Sequence, residues 1–309
     1  MSVLSPVRIR RTGIAGGMVA AVLLVALGLG GGGCAGSKKK AAPPPAAVQE
    51  ADRLARQAAR LQAEENWPGA AQWWMQAGKQ FELLNRLDQV AMARHNEAMA
   101  RRELGATAQA HELLEEAARL NRQVGLMSAW WRNQVALLQM ENDSSPVAAA
   151  QRLASLVEVG AGQEVEPRVR ALLAHEEARL RASEGHLDLG ILAAERSARG
   201  FAALGDRAGW AAATVTRAGL LKRDNQLPAA VAAWREALRE YEQLGYPRGV
   251  AVALFGLGST LRAAGDSLEA ADLLRRAADN FRTLGRDKDA EAVEAELKAI
   301  GGTAPNRGR

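Results

Sequence analysis

Cysteine and aromatic residues are scarce: the 309 residues include one cysteine, Cys34, and 4% aromatic side chains. A single cysteine forms no intramolecular disulfide and supplies no paired thiolates for a zinc site. Valine and isoleucine are sparse after the N-terminal apolar segment, and no stretch alternates apolar with polar residues, which argues against β-sheet. Alanine, leucine, arginine and glutamate dominate instead, so we expect an all-α protein packed through small side chains.

Motifs for catalysis and cofactor binding are also missing. His111-Glu112 is not followed by the second histidine of H-E-x-x-H, and Gly78-Lys79 lacks the upstream glycine of a phosphate loop. Gly28, Gly30 and Gly33 fit G-x-G-x-x-G, but no strand precedes them. The acidic residues are spread over helix surfaces. We therefore expect no enzyme, no metal site and no cofactor.

Acidic residues are absent before Glu50, so the basic balance (net charge +5, pI about 9.7) is local. Arg8, Arg10 and Arg11 supply three of these charges, and Lys38–Lys40 supply three more. The rest of the chain is close to neutral and has no basic stripe of the kind that binds nucleic acid. We expect no nucleic-acid partner.

The basic N-terminus leads into an apolar run, Ile14–Leu29, then Gly30–Gly33 and Cys34. This order predicts an export signal over residues 1–33. It resembles a bacterial lipoprotein signal, which implies that Cys34 is lipidated and becomes the new N-terminus. Gly31 departs from the pattern, because that family usually places leucine there. Two alternatives stay open: cleavage without lipidation, and an uncleaved membrane anchor over residues 14–34.

Residues 34–46 would then form a Lys/Pro-rich tether, in which Pro43-Pro44-Pro45 favours polyproline II. Beyond it, Leu204-Gly205, Leu244-Gly245 and Leu284-Gly285 recur at a period of forty residues. A leucine followed by glycine is typical of helix ends. The sequence therefore predicts repeated helix pairs and a final capping helix. The predicted units span 47–86, 87–126, 127–166, 167–206, 207–246 and 247–286, the capping helix spans 287–300, and a disordered tail spans 301–309.

The helices carry recognisable internal patterns. The last unit reads Leu254-x-x-Leu257-Gly258-x-x-Leu261, and Ala-x-x-x-aromatic-x-x-Ala occurs around Trp74 and Trp234. These patterns resemble the tetratricopeptide repeat over about 47–286, with a period longer than the family's usual one. The resemblance implies an α-solenoid that binds proteins, with the first helix of each pair lining the concave face.

Two features depart from the regular pattern. Glu97 and Glu177 fill a register where that family expects leucine. In unit three, Pro146 arrives two residues early and Gly160–Gly162 ends the second helix before the period closes. We expect either a bend of the superhelix or a hinge at unit three.

Projecting the repeat registers onto the concave face gives a candidate partner-binding set. The set is His95, Met99, Arg102, Arg132, Gln139, His175, Arg179, Lys222, Phe255 and Arg262. On one interpretation its cations form an electropositive strip for an acidic or C-terminal segment. On the other, they pair with neighbouring glutamates such as Glu103 and Glu176 and only solvate the helices.

Adjacent tryptophans cannot both face the core of one helix, so one of Trp73/Trp74 and one of Trp130/Trp131 is expected to be partly exposed. Trp73 and Trp131 are thus possible contact residues. Stacking on them would suit an alternative function, the binding of peptidoglycan or another glycan.

The favoured interpretation is a non-catalytic scaffold of the bacterial cell envelope whose partners are other proteins and, through its lipid, a membrane. It resembles tetratricopeptide lipoproteins of Gram-negative bacteria, some of which serve β-barrel insertion or pilus assembly. Ala35 is not the aspartate associated with inner-membrane retention, which favours the periplasmic face of the outer membrane. If residues 14–34 are not cleaved, the alternative is a membrane-anchored cytoplasmic adaptor.

Overall fold

A computed structural model describes residues 44–162 and 164–302, and this part of the chain is all-helical, as predicted. Its helices run in sequence with short connections and no described strand. They are α1 (Ala46–Ala63), α2 (Trp67–Leu83), α3 (Leu87–Glu103), α4 (Thr107–Gln123), α5 (Met127–Ser144), α6 (Pro146–Ala161), α7 (Pro167–Ser183), α8 (Leu187–Ala203), α9 (Arg207–Arg223), α10 (Leu227–Gln243), α11 (Pro247–Ala263), α12 (Ser267–Thr283) and α13 (Asp287–Gly302).

The forty-residue period is confirmed by backbone geometry as well as by helix bounds. Left-handed residues stand at helix ends every twenty residues except at Ser145 and Val165. They are Glu65, Asn85, Gly105, Gly125, Gly185, Gly205, Asn225, Gly245, Gly265 and Gly285. At such an end the Asp206 backbone N–H donates to Phe201 O at 3.0 Å, which closes the last turn. Each glycine therefore reverses the chain without a Cβ clash.

The junction between α1 and α2 has a left-handed residue other than glycine. Asn66 lies next to the glycine register, but the left-handed residue there is Glu65, with φ 57°. Asn66 instead caps α2, because its side chain accepts a hydrogen bond from Gly69 N at 3.1 Å. Asp206 caps α9 in the same way through Gly209 N at 2.9 Å.

The core lies between neighbouring helices and is built from small residues beside large ones. Ala70, Ala110, Ala230 and Ala270 are 0% exposed, so successive helices approach closely at that register. The larger residues four positions on fill the remaining space; they are Trp74, Leu114, Trp234 and Leu274. The exception is unit three, where Ala150 is only half-buried and Ala154 is exposed.

Successive odd-numbered helices touch one another, in addition to the contacts between sequence neighbours. The pairs in contact are α5–α7, α7–α9, α9–α11 and α11–α13. Among residues 44–162 and 164–302, no two successive even-numbered helices pack to the same extent. Elements on the short side of a curved stack lie closer together, so from α5 onward the odd-numbered helices form the inner side of the solenoid.

Unit three is irregular, as the sequence predicts. A single residue, Ser145, separates α5 from α6, and α6 buries only Ala149, Leu153 and Leu156. Packing of α6 on α7 is the weakest between sequence neighbours in the described chain. Direct contact between α5 and α7 joins the two halves of the solenoid at this point.

Two sequence predictions concern the two ends of the chain, the C-terminal tail and the N-terminal signal with its tether. The predicted disordered tail begins too early, since α13 continues to Gly302. The predicted signal, Cys34 and most of the tether (residues 1–43) lie outside the described residues. Within the described part, no helix combines the length and apolar character needed to cross a membrane.

Candidate interaction groove

The inner face is the side of the odd-numbered helices that carries the candidate partner-binding set. All ten members are partly exposed or exposed, and they lie on α3, α5, α7, α9 and α11. They are His95, Met99, Arg102, Arg132, Gln139, His175, Arg179, Lys222, Phe255 and Arg262. The cations Arg102, Arg179, Lys222 and Arg262 are bound into contacts with other side chains. That the ten form one partner-binding surface stays a prediction.

His95 sits in a positively charged environment. Asn133 Nδ2 donates to His95 Nδ1 at 3.0 Å, and Asn133 Oδ1 accepts from Asn121 Nδ2 at 2.8 Å. Burial, together with the nearby charges of Arg132 and Arg102, lowers the pKa of the His95 imidazole to about 4. The ring is therefore neutral near pH 7, and this end of the groove carries a positive potential.

His175 occupies the same register two units on, but its surroundings differ. The position corresponding to Asn133 is Ala213, which has no polar side chain. The Nδ1 atom of His175 is accordingly buried without a hydrogen-bond partner among the described residues. Burial lowers the pKa of His175; the Glu176 carboxylate opposes that shift and Arg179 adds to it.

Arg179 is held in an ion-pair network. Its Nη1 lies 2.8 Å from Glu176 Oε2, and its Nη2 pairs with Asp143. Asn142 Nδ2 donates to Glu176 Oε2 at 2.9 Å, which satisfies the buried carboxylate further. The network links α5 to α7, so Arg179 stabilises the stack beneath unit three's irregular helix.

At the far end of the groove, Lys222 donates to Ser259 Oγ, and Ser259 Oγ donates to Glu296 Oε1 at 2.9 Å. Arg262 Nε lies 3.3 Å from Glu296 Oε2. Burial lowers the pKa of the Lys222 ammonium; Glu296 opposes that shift and Arg262 adds to it. These contacts tie α9 and α11 to the capping helix α13.

The two interpretations of the cations can now be compared. Arg102, Arg179 and Arg262 each contact a carboxylate, at Glu103, Glu176 and Glu296 respectively. Pairing with neighbouring glutamates thus accounts for three of them. Arg132 is different: it is exposed, and no ion pair engages it within the described residues. The continuous strip is therefore reduced to two local positive regions, one around Arg132 and Arg102 and one at Lys222, which contacts Ser259 and no carboxylate among the described residues.

One tryptophan prediction is correct and the other is wrong. Trp74 is buried and Trp73 is partly exposed, with the Arg53 guanidinium carbon 5.9 Å from its ring centroid. Trp130 and Trp131 are both buried, at 6% and 2% exposure, with their rings edge-to-face at 4.8 Å. Helix α5 contacts α4, α6 and α7, so it buries nearly its whole circumference. Trp131 is therefore a core residue.

A possible metal-binding cluster that sequence analysis did not single out is explained by an arginine. His111, Glu115 and Glu141 bring their ligand atoms within 4.8 Å of one another. The guanidinium of Arg152 lies 2.6 Å from Glu115 and 2.7 Å from Glu141. Its positive charge already satisfies both carboxylates, so the group is an ion-pair network joining α4, α5 and α6.

Glu97, which stands where leucine was expected, is only 2% exposed. Its carboxylate lies 2.7 Å from Arg101 and 3.5 Å from Arg94. Arg94 also contacts Glu116 at 3.3 Å, across the α3–α4 interface. The departure from the repeat pattern is thus a buried ion-pair network, which a hydrophobic pattern search cannot anticipate.

Solved structures with a similar fold are α-solenoids. A crystal structure of a Rap protein complexed with competence and sporulation factor has 14% identity and a TM-score of 0.61, and the match covers 83% of this chain and 76% of that one. The apo form of the quorum sensor NprR from B. thuringiensis has 10% identity and a TM-score of 0.57, over 82% and 77%.

A third similar structure is a signal-transduction ATPase with a tetratricopeptide repeat sensor from Pyrococcus horikoshii. It has 13% identity and a TM-score of 0.52, over 80% of this chain and 42% of that one. The fold of this chain is therefore a tetratricopeptide-like α-solenoid. No protein-family model and no curated protein sequence matches the chain.

Proposed function

We propose that this protein is a non-catalytic scaffold that binds segments of other proteins along the inner face of its odd-numbered helices. The observation that carries the proposal is the inner face itself. Its side chains at successive repeats remain partly exposed, and no described element covers them. Burial between neighbouring helices satisfies the core without using this face, so a long surface is left for a partner.

The similar structures support the proposal that this protein binds segments of other proteins. A Rap protein is known in complex with competence and sporulation factor, and NprR is a quorum sensor. The groove here is chemically mixed: Arg102 and Arg132 lie at one end, and Val215 and Phe255 share α9 and α11 with the cations Lys222 and Arg262 at the other. Such a surface suits a segment that carries both acidic and apolar side chains.

Site-specific photocrosslinking tests the location of binding. A photoreactive phenylalanine replaces Met99 or Gln139 on the inner face. In the matched controls the same residue replaces Leu192 or Leu268, which are exposed on even-numbered helices. We expect defined crosslinked species from the inner positions and much weaker ones from the outer positions. Crosslinks of equal intensity at both sets would contradict a groove.

We further propose that the solenoid is a lipoprotein of the cell envelope, attached through Cys34 at the periplasmic face of the outer membrane. Support comes from the sequence alone: the basic start, the Ile14–Leu29 run and the small residues before Cys34. Helix α1 begins at Ala46, and Pro45 before it has φ −50° and ψ 147°, close to polyproline II. A short extended connection would hold the solenoid near the lipid surface.

Mass spectrometry of the purified N-terminus distinguishes the possible topologies. A diacylated Cys34 is the expected result. An unmodified N-terminus after residue 33 would indicate cleavage without lipid. An intact Met1 would contradict the lipoprotein proposal and support the membrane-anchored cytoplasmic adaptor instead. Sucrose-gradient separation of inner and outer membranes then tests the proposed membrane directly.

A further inference from the structure

Trp74 and Trp234 occupy the same repeat position in units one and five, but their indole N–H groups have different surroundings. Trp74 Nε1 donates to Gln62 Oε1 at 2.9 Å. The residue in the register of Gln62 four units later is Lys222, whose ammonium has donors and no acceptor. Trp234 is only 6% exposed, and its buried Nε1 has no hydrogen-bond partner among the described residues.

The ring of Trp234 lies directly behind the inner face. It reaches from α10 to the seam between α9 and α11, where a Cβ on Gly256 would stand 2.4 Å from ring atoms and one on Gly219 would stand 4.0 Å away. Both glycines are partly exposed and lie on the odd-numbered helices α9 and α11. Because neither has a side chain, a partner segment can come close to the ring there.

Positive charge exceeds negative charge around Ser259, and Lys222 there stands in the register from which Gln62 accepts the hydrogen bond of the Trp74 indole. Lys222 and Arg262 carry two positive charges, and Glu296 supplies the one carboxylate that contacts this group, through Arg262 and Ser259. The Trp234 indole N–H has no acceptor, and the Lys222 ammonium, with three N–H donors, contacts only Ser259 Oγ among the described residues. A buried polar group without a partner is costly, so the arrangement is incomplete as it stands.

We propose that Lys222 and the indole N–H of Trp234 form an anchor that receives an acidic side chain from an extended partner segment. This inference rests on the proposed function and names the chemistry of one position in the groove. A carboxylate supplies both missing features, one negative charge and acceptor oxygens for two donors. Glu296 shows that a side-chain carboxylate fits beside Ser259 and Arg262, and it competes with the partner for the same cations.

The test uses the full chain in detergent micelles and follows the indole N–H signal of Trp234 by NMR, assigned with Trp234→Phe. The probe is the peptide Ac-Leu-Glu-Leu-NH2, and Ac-Leu-Gln-Leu-NH2 is its uncharged match. Ac-Leu-Gln-Leu-OH offers a chain-end carboxylate instead. We expect a saturable shift with the Glu peptide and binding at least about tenfold weaker with both others. Equal binding of the Gln peptide, or tighter binding of the chain-end carboxylate, would overturn the anchor as proposed.

Two variants test the proposed cation and the competing carboxylate separately. Lys222→Gln reproduces the arrangement of unit one, so the Trp234 signal should move without peptide, binding should fall by about tenfold or more, and the unfolding temperature should not decrease. Glu296→Gln removes the competitor and should tighten binding by about threefold. Unchanged binding in Lys222→Gln, or weaker binding in Glu296→Gln, contradicts the proposal.

Failure of the anchor and failure of the proposed function are distinguishable. If Trp234 does not respond while crosslinks from Met99 and Gln139 persist, the anchor is wrong and the groove stands. If the inner positions give no crosslinks while the Glu peptide binds at Trp234, the anchor is right and the broader function is wrong.

Discussion

The indole Nε1 of Trp74 donates a 2.9 Å hydrogen bond to Gln62 Oε1 and thereby ties the second helix of unit one to the first. Trp74 is 3% exposed, so water cannot replace this acceptor. We expect Gln62→Met to lower the free energy of unfolding by about 1–3 kcal/mol, because it leaves a buried donor unpaired. Chemical denaturation measures the change, and Gln76→Met on α2 is the control. A loss of the same size in both would show that the bond is not the cause.

Gly256 and Gly219 form a matched pair for testing the seam beside Trp234. An alanine at 256 would bring its Cβ to 2.4 Å from the ring, whereas the nearest ring atom to a Cβ at 219 is 4.0 Å away. Gly256→Ala should therefore cost about 1–3 kcal/mol through overpacking. Gly219→Ala should be neutral or stabilise by up to about 1 kcal/mol through helix propensity. Thermal unfolding of both variants gives the comparison, and a neutral Gly256→Ala would show that the ring can move away.

Glu65 holds a left-handed conformation, with φ 57°, at a place where seven other helix ends use glycine. Glu65→Gly should raise the free energy of unfolding by about 1 kcal/mol, because the Cβ clash disappears. Asn85→Gly is the control, since asparagine adopts this conformation more readily and should gain only a few tenths of a kcal/mol. Denaturant midpoints of the two variants measure this difference. No gain in Glu65→Gly would mean that its side chain compensates for the strain.

Arg152 satisfies two carboxylates at once, Glu115 at 2.6 Å and the buried Glu141 at 2.7 Å. Arg152→Met should destabilise by about 3–5 kcal/mol, because Glu141 is left as an uncompensated buried charge. The double variant Arg152→Met/Glu141→Leu should recover much of that loss. Equilibrium denaturation of both variants provides the test, and no recovery in the double variant would indicate that packing of the arginine stem matters more than charge.

His95 should titrate well below the ordinary pKa of histidine, near 4, because burial and two arginines disfavour its protonated form. The neutral ring contributes stability that is fully present above pH 6.5 and is lost as the pH falls toward 4. NMR titration of the ring measures the pKa directly. Arg132→Gln should raise it, whereas Arg248→Gln on α11 should not. An ordinary value in the unaltered protein would contradict the positive environment.

Much of the fold could be predicted, because the residues that end each helix act locally along the chain. Gly205 and Gly245 sit at turns that require positive φ, and the small residues at Ala70 and Ala230 are the ones that let helices approach. The ion-pair networks could not be predicted, since Arg94, which pairs with Glu97 on its own helix, also reaches Glu116 on α4, and that distance depends on how the two helices pack. Trp131 was misjudged for the same reason, because its burial depends on how α4, α6 and α7 pack around α5.

The candidate site, like the fold, has features that the sequence predicts and features that depend on helix packing. Its ten residues all lie on odd-numbered helices and are at least partly exposed, because the repeat register carries them there. Only the tertiary structure decided which of them are paired: Arg179 meets Asp143 on α5 and Arg262 meets Glu296 on α13, whereas Arg132 has no ion pair among the described residues. The isolation of the Trp234 indole could have been noticed by comparing Gln62 with Lys222, yet its burial behind two glycines required the packed structure.

The sequence by itself determined the helices, their ends and their forty-residue repetition, because capping, left-handed turns and apolar spacing act within one or two turns of the chain. Tertiary structure alone decided which polar side chains are paired, which helix is surrounded and which donor is left without an acceptor. Those outcomes depend on distances between helices, and such distances are set by the packing of the whole stack.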